Sequence, residues 1–197
     1  MTEDTITTSS TEVPLRNQWV LMVDTAWQPT EEQPEPPDGA VVGAWFIEQN
    51  GTTGHFRPNP GYEPSEPGLP TDPVDANLQL VARGEAEMSD LLAVLPEIYF
   101  GLAVDETGLA LIESAPDGVP CLLATTAPAH RRRVDAHDWV KVTVKELADA
   151  GVDVLLNPGA PASRRVPAAS WKALVDEYRR IVMGGSSPDD GSAEDTR

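Results

Sequence analysis

The feature that most constrains this chain is the segment from Pro58 to Pro73, which contains six prolines. Proline has no backbone N–H and fixes φ near −65°, so this density excludes both a helix and an interior strand. The backbone there is extended or turning. The segment is either a linker or a cover that wraps over the core, for which Tyr62 and Leu69 supply apolar side chains.

Two apolar runs precede the prolines. Residues 19–23 (Trp-Val-Leu-Met-Val) are too few for a stable helix and predict a buried strand. Residues 40–47 predict a second strand, which ends at the turn dipeptide Asn50-Gly51. The acidic, proline-rich loop 28–39 joins them. We expect an antiparallel pair that extends into residues 52–57.

Helices and strands interleave in the rest of the chain. Asp72-Pro73 predicts the start of a helix that stops at Gly84, and Ser89 is the predicted N-cap of a second helix that ends at Pro96. Later elements are a hairpin of 98–104 and 109–113 around the turn 105–108, a strand at 119–125, a helical turn at 128–133, a strand at 139–142, a helix at 145–150 capped by Thr143, a strand at 152–156 and a helix at 167–183.

The hairpin excludes a purely parallel sheet. We therefore predict an α+β fold with a mixed, largely antiparallel sheet and flanking helices. The predicted parts are a disordered tail at 1–14, an N-terminal α+β segment with proline-rich loops at 15–95, a second α+β domain at 96–183 and a disordered acidic tail at 184–197.

The charge of the chain is strongly negative, with a formal net charge of −18. Residues 1–127 contain 21 acidic and 3 basic residues, whereas residues 128–197 contain 11 of each. Binding to nucleic acid or to an anionic lipid surface requires a dense cationic face, so both are disfavoured. The acidic half either faces a partner or serves solubility.

Targeting features are missing from the sequence. The first residues have neither the basic start nor the apolar core of a signal peptide, and no apolar stretch approaches the ~20 residues of a membrane-spanning helix. The single cysteine, Cys121, cannot form an intrachain disulfide. We expect a cytoplasmic protein without direct membrane insertion.

Motifs of catalysis are also missing. The chain has no HExxH, no GxSxG, no GxGxxG and no P-loop. The nearest cluster is Asp135-Ala136-His137-Asp138, which we interpret as a polar loop, with a hydrolase or metal site as the alternative. We predict no catalytic residues, no metal and no cofactor, and hence a protein that is not an enzyme.

Residues suited to binding lie in two places. The exposed arginines 131–133 would bind an anion or pair with the acidic residues of the chain itself, and the aromatic residues in polar loops would anchor an interface or pack onto the core. The candidate protein-binding residues are Trp27, Asn59, Tyr62, Arg131, Arg132 and Arg133.

Three segments of the first half carry a family resemblance. Residues 36–45 (ending Val-Val-Gly-Ala-Trp), 56–65 (Phe-Arg-Pro-Asn-Pro-Gly-Tyr-Glu-Pro-Ser) and 69–75 (Leu-Pro-Thr-Asp-Pro-Val-Asp) resemble actinobacterial proteins described as type VII secretion system-associated.

The second half is similar to the SseB-like domain. The shared features include Asp-Gly-Val-Pro at 117–120, Ala-Pro-Ala-His at 127–130 and Leu-Asn-Pro-Gly at 156–159. SseB-like domains usually carry Phe-Thr-Ser where this chain has Ala-Thr-Thr at 124–126. The two resemblances together cover roughly residues 17–180.

The resemblance implies a non-enzymatic accessory role beside a secretion machine, because the family has no agreed catalytic residues. We expect an adaptor that binds a type VII secretion component or substrate. The alternative is an immunity protein that neutralises a secreted toxin by placing its acidic surface in a cationic cleft. The oligomeric state is left open.

Overall fold

The computed structural model describes residues 17–184. The predicted tails at 1–14 and 184–197 lie outside the described residues, apart from Gly184, which ends the last helix. The strands are β1 Gln18–Val23, β2 Val41–Ile47, β3 Arg57–Pro58, β4 Phe100–Val104, β5 Ile112–Ser114, β6 Pro120–Thr125, β7 Asp138–Val142, β8 Asp153–Leu156 and β9 Arg164–Val166. The helices are α1 Pro73–Arg83, α2 Met88–Val94, α3 Pro128–Arg131, α4 Val144–Ala150 and α5 Ala168–Gly184.

The strands form two sheets. The first has the order β1-β2-β3 and is antiparallel throughout. The second has the order β7-β4-β6-β8-β9, and β5 pairs with β6 as well. Its β6–β8 pair is parallel and its other pairs are antiparallel. The predicted α+β class with a mixed, mostly antiparallel sheet is confirmed.

The strand predicted at 19–23 forms, but the prediction that it is buried is wrong. It is β1, an edge strand that pairs with β2 alone among the described residues. Trp19 is 50% exposed and Leu21 is 47% exposed. A short apolar run does not distinguish a central strand from an edge strand, since both place the same residues in an extended backbone.

The hairpin predicted for residues 98–104 and 109–113 is only partly correct. The turn at 105–108 forms, and Val104 makes an isolated bridge with Ala110. The following strand, β5, instead pairs with β6 across the turn at Asp117-Gly118. Gly118 has a φ of +81°, which is a conformation that glycine adopts without strain.

Of the two predicted N-caps, Thr143 is correct and Ser89 is not, and the helix start predicted at Asp72-Pro73 is confirmed. The backbone N–H of Asp75 donates to Asp72 at the start of α1, and Thr143 forms a capping box at the start of α4. Ser89 is not the cap of α2. That cap is Glu87, whose backbone N–H donates to the Asp90 carboxylate at 2.8 Å, as in a capping box.

A single large hydrophobic cluster contains residues from both predicted segments. Phe56 and Leu78 from the first half belong to the same cluster as Phe100 and Trp171 from the second, and the last two rings meet edge to face at 5.7 Å. Tyr62 also belongs to it and is 3% exposed. The proline-rich segment therefore wraps over the core.

A smaller hydrophobic cluster packs on the other face of the second sheet. It contains Cys121 and Leu123, whereas Leu122 and Ala124 belong to the large cluster. This alternation follows from the two-residue period of a strand. Both faces of β6 are consequently covered, and neighbouring residues of this strand have different surroundings.

Candidate functional site

The candidate aromatic residues lie at the proline-rich loops. The hydroxyl of Tyr62 donates to Asp24 Oδ2 at 3.0 Å, and the backbone N–H of Ser65 donates to the same atom. Burial acts to raise the pKa of Asp24, but these hydrogen bonds lower it below its ordinary value. Of the two alternatives predicted for the aromatic residues, Tyr62 therefore packs onto the core. Trp27 is half-buried, and its backbone N–H donates to the carbonyl of Asp24.

Asn59 holds two loops together. Its side-chain amide donates to the carbonyl oxygens of Asp38 at 3.0 Å and Val41 at 2.9 Å. Its own carbonyl oxygen accepts from the backbone N–H of Gly61. These bonds use both ends of the amide, so in this structure Asn59 fixes the loop ahead of β2.

The three candidate arginines have separate surroundings. Arg131 lies over the Trp139 ring, with 5.4 Å between its guanidinium carbon and the ring centroid. Arg132 pairs with Glu63 at 3.2 Å, as the self-neutralisation alternative expects. Arg133 Nη1 lies 2.9 Å from His130 Nδ1. Arg132 therefore contacts the residue that follows Tyr62 in the chain. The three arginines do not form one patch.

The sequence analysis missed a buried polar network. It lies where the start of α1 meets the ends of β6 and β8 and the turn of α3, and each member is at most 5% exposed. We call it the polar network, and its members are Thr71, Asp72, Asp75, Thr126, His130 and Asn157.

Asp72 is at the centre of the polar network. Its carboxylate caps α1 through the backbone N–H of Asp75 at 2.8 Å and accepts the hydroxyl of Thr126 at 2.6 Å. The Thr126 hydroxyl in turn accepts from the side-chain amide of Asn157 at 2.9 Å. Asn157 has a φ of +48°, which asparagine adopts more readily than most residues. The network therefore joins the start of α1 to the turn after β8.

The two buried carboxyl groups have opposite pKa shifts. Burial, together with the charge of Asp75, raises the pKa of Asp72 to about 6. Burial also acts to raise the pKa of Asp75, but the neighbouring His130 ring and hydrogen bonds from Thr71 lower it below its ordinary value. Like charges in one site favour a state with a single negative charge. As the pH falls, Asp72 therefore takes up the proton first.

The geometry of His130 fixes the direction of its hydrogen bonds. A guanidinium only donates, so the contact with Arg133 makes Nδ1 the acceptor and places the ring proton on Nε2. Nε2 lies 2.8 Å from the hydroxyl of Thr71 and 3.6 Å from Asp75 Oδ2. The Thr71 hydroxyl then donates to Asp72 or Asp75, each within 3.2 Å. In a nucleophile–base pair the imidazole accepts from the hydroxyl, and here it donates. This arrangement stabilises the fold and does not activate Thr71.

An open cleft of about 580 Å³ borders the polar network. Thr71, Asp75 and His130 line it together with loop residues 66–69 and 160–162. Arg83 and Arg132 also line it, and each pairs with a glutamate. Arg133 and Glu66 line it as well, so the cleft exposes a surface of mixed charge.

The outer edge of β1 has no strand partner within residues 17–184. Trp19 and Leu21 lie on one face of this strand, and the Trp19 ring packs against Phe46 with 5.0 Å between centroids. Arg57 covers the same ring at 5.1 Å. Proteins usually blunt a free edge with charges, proline or a bulge. The middle of β1 instead combines unpaired backbone groups with exposed apolar side chains.

The cluster at 135–138 holds no convergent ligand set. Within residues 17–184 no group of three or more His, Cys, Asp or Glu side chains is placed to hold a metal ion. The backbone N–H of His137 donates to the carbonyl of Val104, which fixes the loop that leads into β7. Across the same range, every helix is too short or too polar to cross a membrane.

No protein-family model, curated protein or solved structure matches the chain. The similarity of its motifs to type VII secretion-associated and SseB-like proteins therefore stays a prediction from the sequence.

Proposed function

We propose that this protein is a non-enzymatic accessory protein associated with type VII secretion, and that it binds a protein partner along the outer edge of β1. The observation that carries the proposal is the free edge itself. It presents backbone N–H and C=O groups beside Trp19, Val20 and Leu21, each of which is at least 40% exposed. Water-exposed apolar residues on an unpaired strand are typical of an interaction site.

The geometry favours an extended segment of the partner as the occupant. Such a segment adds a fourth strand beside β1, so that main-chain hydrogen bonds supply affinity. Alternate side chains of the added strand then meet Trp19 and Leu21 on one face. This mode of binding requires no cavity and no change of the sheet.

The charge around the first sheet favours a basic segment. The loop that joins β1 and β2 contains four glutamates and aspartates, and Asp24 and Glu48 follow the ends of the two strands. Among the described residues, Arg57 is the basic side chain in the strands of this sheet. Complementary charge steers the encounter and selects the partner.

The association with secretion is supported by the motifs at 56–65 and 69–75. The first contains the loop residues Asn59 and Tyr62, and the second contains Asp72 and Asp75 of the polar network. We place the protein in the cytoplasm, where its single thiol, Cys121, stays reduced.

The experiment is a pull-down from the native host with the full chain as bait. Leu21→Lys places a charge on the exposed face of β1 without touching the core, and Leu109→Lys is the matched control, since Leu109 is 67% exposed on a distant turn. We expect the wild type and the control to recover a secretion component or substrate. Leu21→Lys should recover at least about tenfold less, because an unpaired charge opposes burial of the strand.

Three outcomes contradict the proposal or redirect it. Equal recovery by Leu21→Lys and Leu109→Lys excludes β1 as the binding edge. Recovery of a secreted toxin, with relief of its toxicity on co-expression, favours the immunity alternative. Size-exclusion chromatography that shows only a second copy of this chain on β1 overturns the adaptor assignment.

A further inference from the structure

A second cleft, of about 490 Å³, lies where β3 approaches β4, β7 and the turn of α3. Its charged lining consists of Arg57, Arg131 and Lys141, and no aspartate or glutamate lines it in the described part of the chain. We call it the cationic cleft. In a chain with a net charge of −18, a cavity with three cations and no carboxylate is a local exception.

The floor of the cationic cleft is a row of residues across three neighbouring strands. Gly101 of β4 pairs with Lys141 of β7 on one side and with Thr125 of β6 on the other. Cross-strand partners lie on the same face of a sheet. A Cβ at Gly101 would lie 3.0 Å from Thr125 Oγ1 and 3.1 Å from Arg131 Nη2. The glycine thus makes room for the guanidinium of Arg131 above the sheet.

Two polar atoms in this cleft lack hydrogen-bond partners within the described residues. They are the hydroxyl oxygen of Thr125 and Nε of Arg131. Thr125 is 1% exposed, and burial lowers the pKa of the Arg131 guanidinium. Buried donors normally find an acceptor. These two donors point to an acceptor that residues 17–184 do not supply.

The three cations are held by aromatic rings instead of carboxylates. Lys141 Nζ lies 4.2 Å from the centroid of Tyr99, and Arg131 and Arg57 lie over Trp139 and Trp19. None of the three makes an ion pair within residues 17–184. Aromatic faces orient a cation and leave its charge uncompensated. The negative charge of Asp138 acts on Arg131 from outside the lining without an ion pair in the described residues, so the cleft keeps a net positive charge that can bind an anion.

We propose that the cationic cleft binds the phosphate monoester group of a small organic molecule. A phosphate monoester carries about −1.5 to −2 charges at neutral pH, which suits three cations better than the single charge of a carboxylate. Arg131 Nε and the Thr125 hydroxyl donate to its oxygens, and Lys141 adds charge. The volume falls in the range of about 300–1,000 Å³ of small-molecule sites, and Pro58 and Tyr99 provide walls for the organic part.

Arg57 lines this site and also covers Trp19 of β1, so the two sites share that side chain. The tests change different residues, Leu21 for the edge of β1 and Arg131 or Thr125 for the cleft, so either proposal can fail alone. The test is isothermal titration calorimetry of the full chain with phenyl phosphate, inorganic phosphate and benzoate. We expect saturable binding of phenyl phosphate at one site, with weaker binding of the other two probes. Arg131→Gln should weaken the binding of phenyl phosphate at least about tenfold, because it removes a charged donor.

The matched control is Arg132→Gln. Arg132 is the next residue, is exposed and pairs with Glu63, so its loss should leave binding unchanged. Thr125→Val is a second variant that keeps the shape of the side chain and removes the unpartnered hydroxyl, and it should also weaken binding. Emission of Trp139 should change on titration, since Arg131 lies over its ring.

The proposal is overturned if none of the three probes binds saturably. It is also overturned if Arg132→Gln weakens binding as much as Arg131→Gln does, since the effect would then be one of net charge. Binding of benzoate as tight as that of phenyl phosphate would contradict the assignment to phosphate. Equal affinity for inorganic phosphate and phenyl phosphate would contradict a role for the organic part.

Discussion

The polar network and the cationic cleft are built from neighbouring residues with opposite surroundings. Thr126 and His130 belong to the network, where every hydroxyl and ring nitrogen has a partner. Thr125 and Arg131, each one position away, belong to the cleft and have polar atoms without partners in the described chain. β6 ends at Thr125, and Thr126, just beyond it, donates its hydroxyl to Asp72 although it also lines the cleft.

The difference teaches how to separate a structural polar cluster from a binding site. Both regions contain buried polar side chains beside a hydrophobic core. The network closes on itself through hydrogen bonds, whereas the cleft has donors in excess of acceptors. We therefore expect changes in the network to affect stability and changes in the cleft to affect binding.

The largest expected effect on stability is that of Asp72→Ala. The substitution removes the N-cap of α1 and leaves the Thr126 hydroxyl and the Asp75 N–H without their buried acceptor. We expect the free energy of unfolding to fall by about 3–4 kcal/mol, as measured by urea denaturation. A loss below about 1 kcal/mol would contradict a central role for this carboxylate.

Two substitutions of neighbouring threonines compare the regions directly. Thr126→Val removes a hydroxyl that donates to Asp72 at 2.6 Å, and we expect it to lower the free energy of unfolding by about 2–3 kcal/mol. Thr125→Val removes a hydroxyl without a partner and should change stability by less than about 0.5 kcal/mol. Urea denaturation of both variants measures the contrast. Equal losses would show that Thr125 is bonded in solution.

The pH dependence of stability should trace to Asp72. Its pKa is raised to about 6, so the folded protein binds this proton more tightly than the unfolded chain does. The free energy of unfolding should therefore rise, by about 2 kcal/mol, as the pH falls from about 7 to about 4.5. The lowered pKa of Asp75 opposes this only in more acidic solution.

The variant Asp72→Asn isolates this contribution, because asparagine still caps a helix but does not titrate. Denaturation curves at both pH values should show the rise in the wild type and a rise smaller by about 2 kcal/mol in the variant. An unchanged pH dependence in Asp72→Asn would assign the effect to another group.

A small change in stability is also expected for Gly101→Ala. The three heavy atoms nearest to the added methyl belong to the Arg131 and Thr125 side chains, so Arg131 can shift at a cost below about 1 kcal/mol. The same shift removes the guanidinium from the cationic cleft. Titration with phenyl phosphate should show clearly weaker binding at nearly full stability. Retention of binding would place the phosphate away from Gly101.

The sequence predicted elements with strong local signals and did not predict their surroundings. The starts of α1 and α4 were predictable because a capping side chain and its N–H partner lie three residues apart. The start of α2 was not, because Glu87 is a less common cap than Ser89. The exposure of β1 was not predictable either, since it depends on which strands pair elsewhere in the chain.

The polar network and the cationic cleft were likewise not predictable from local sequence patterns. His130 and Thr71 are 59 positions apart, and Asp72 and Thr126 are 54 apart. Local patterns carry no information on such contacts, so the polar network was missed although its motifs at 69–75 and 127–130 had been noted. Arg131 was identified as a candidate, but the row that makes its cleft depends on the register of β4, β6 and β7.

The polar network determines how the protein should behave when it is expressed as two fragments. A cut after Leu95 leaves Thr71, Asp72 and Asp75 on one fragment, and Thr126, His130 and Asn157 on the other. Each fragment then exposes half of a hydrogen-bonded set and half of the large hydrophobic cluster. The pieces should fold poorly when expressed alone and regain structure when mixed, which makes this protein a natural starting point for a split reporter.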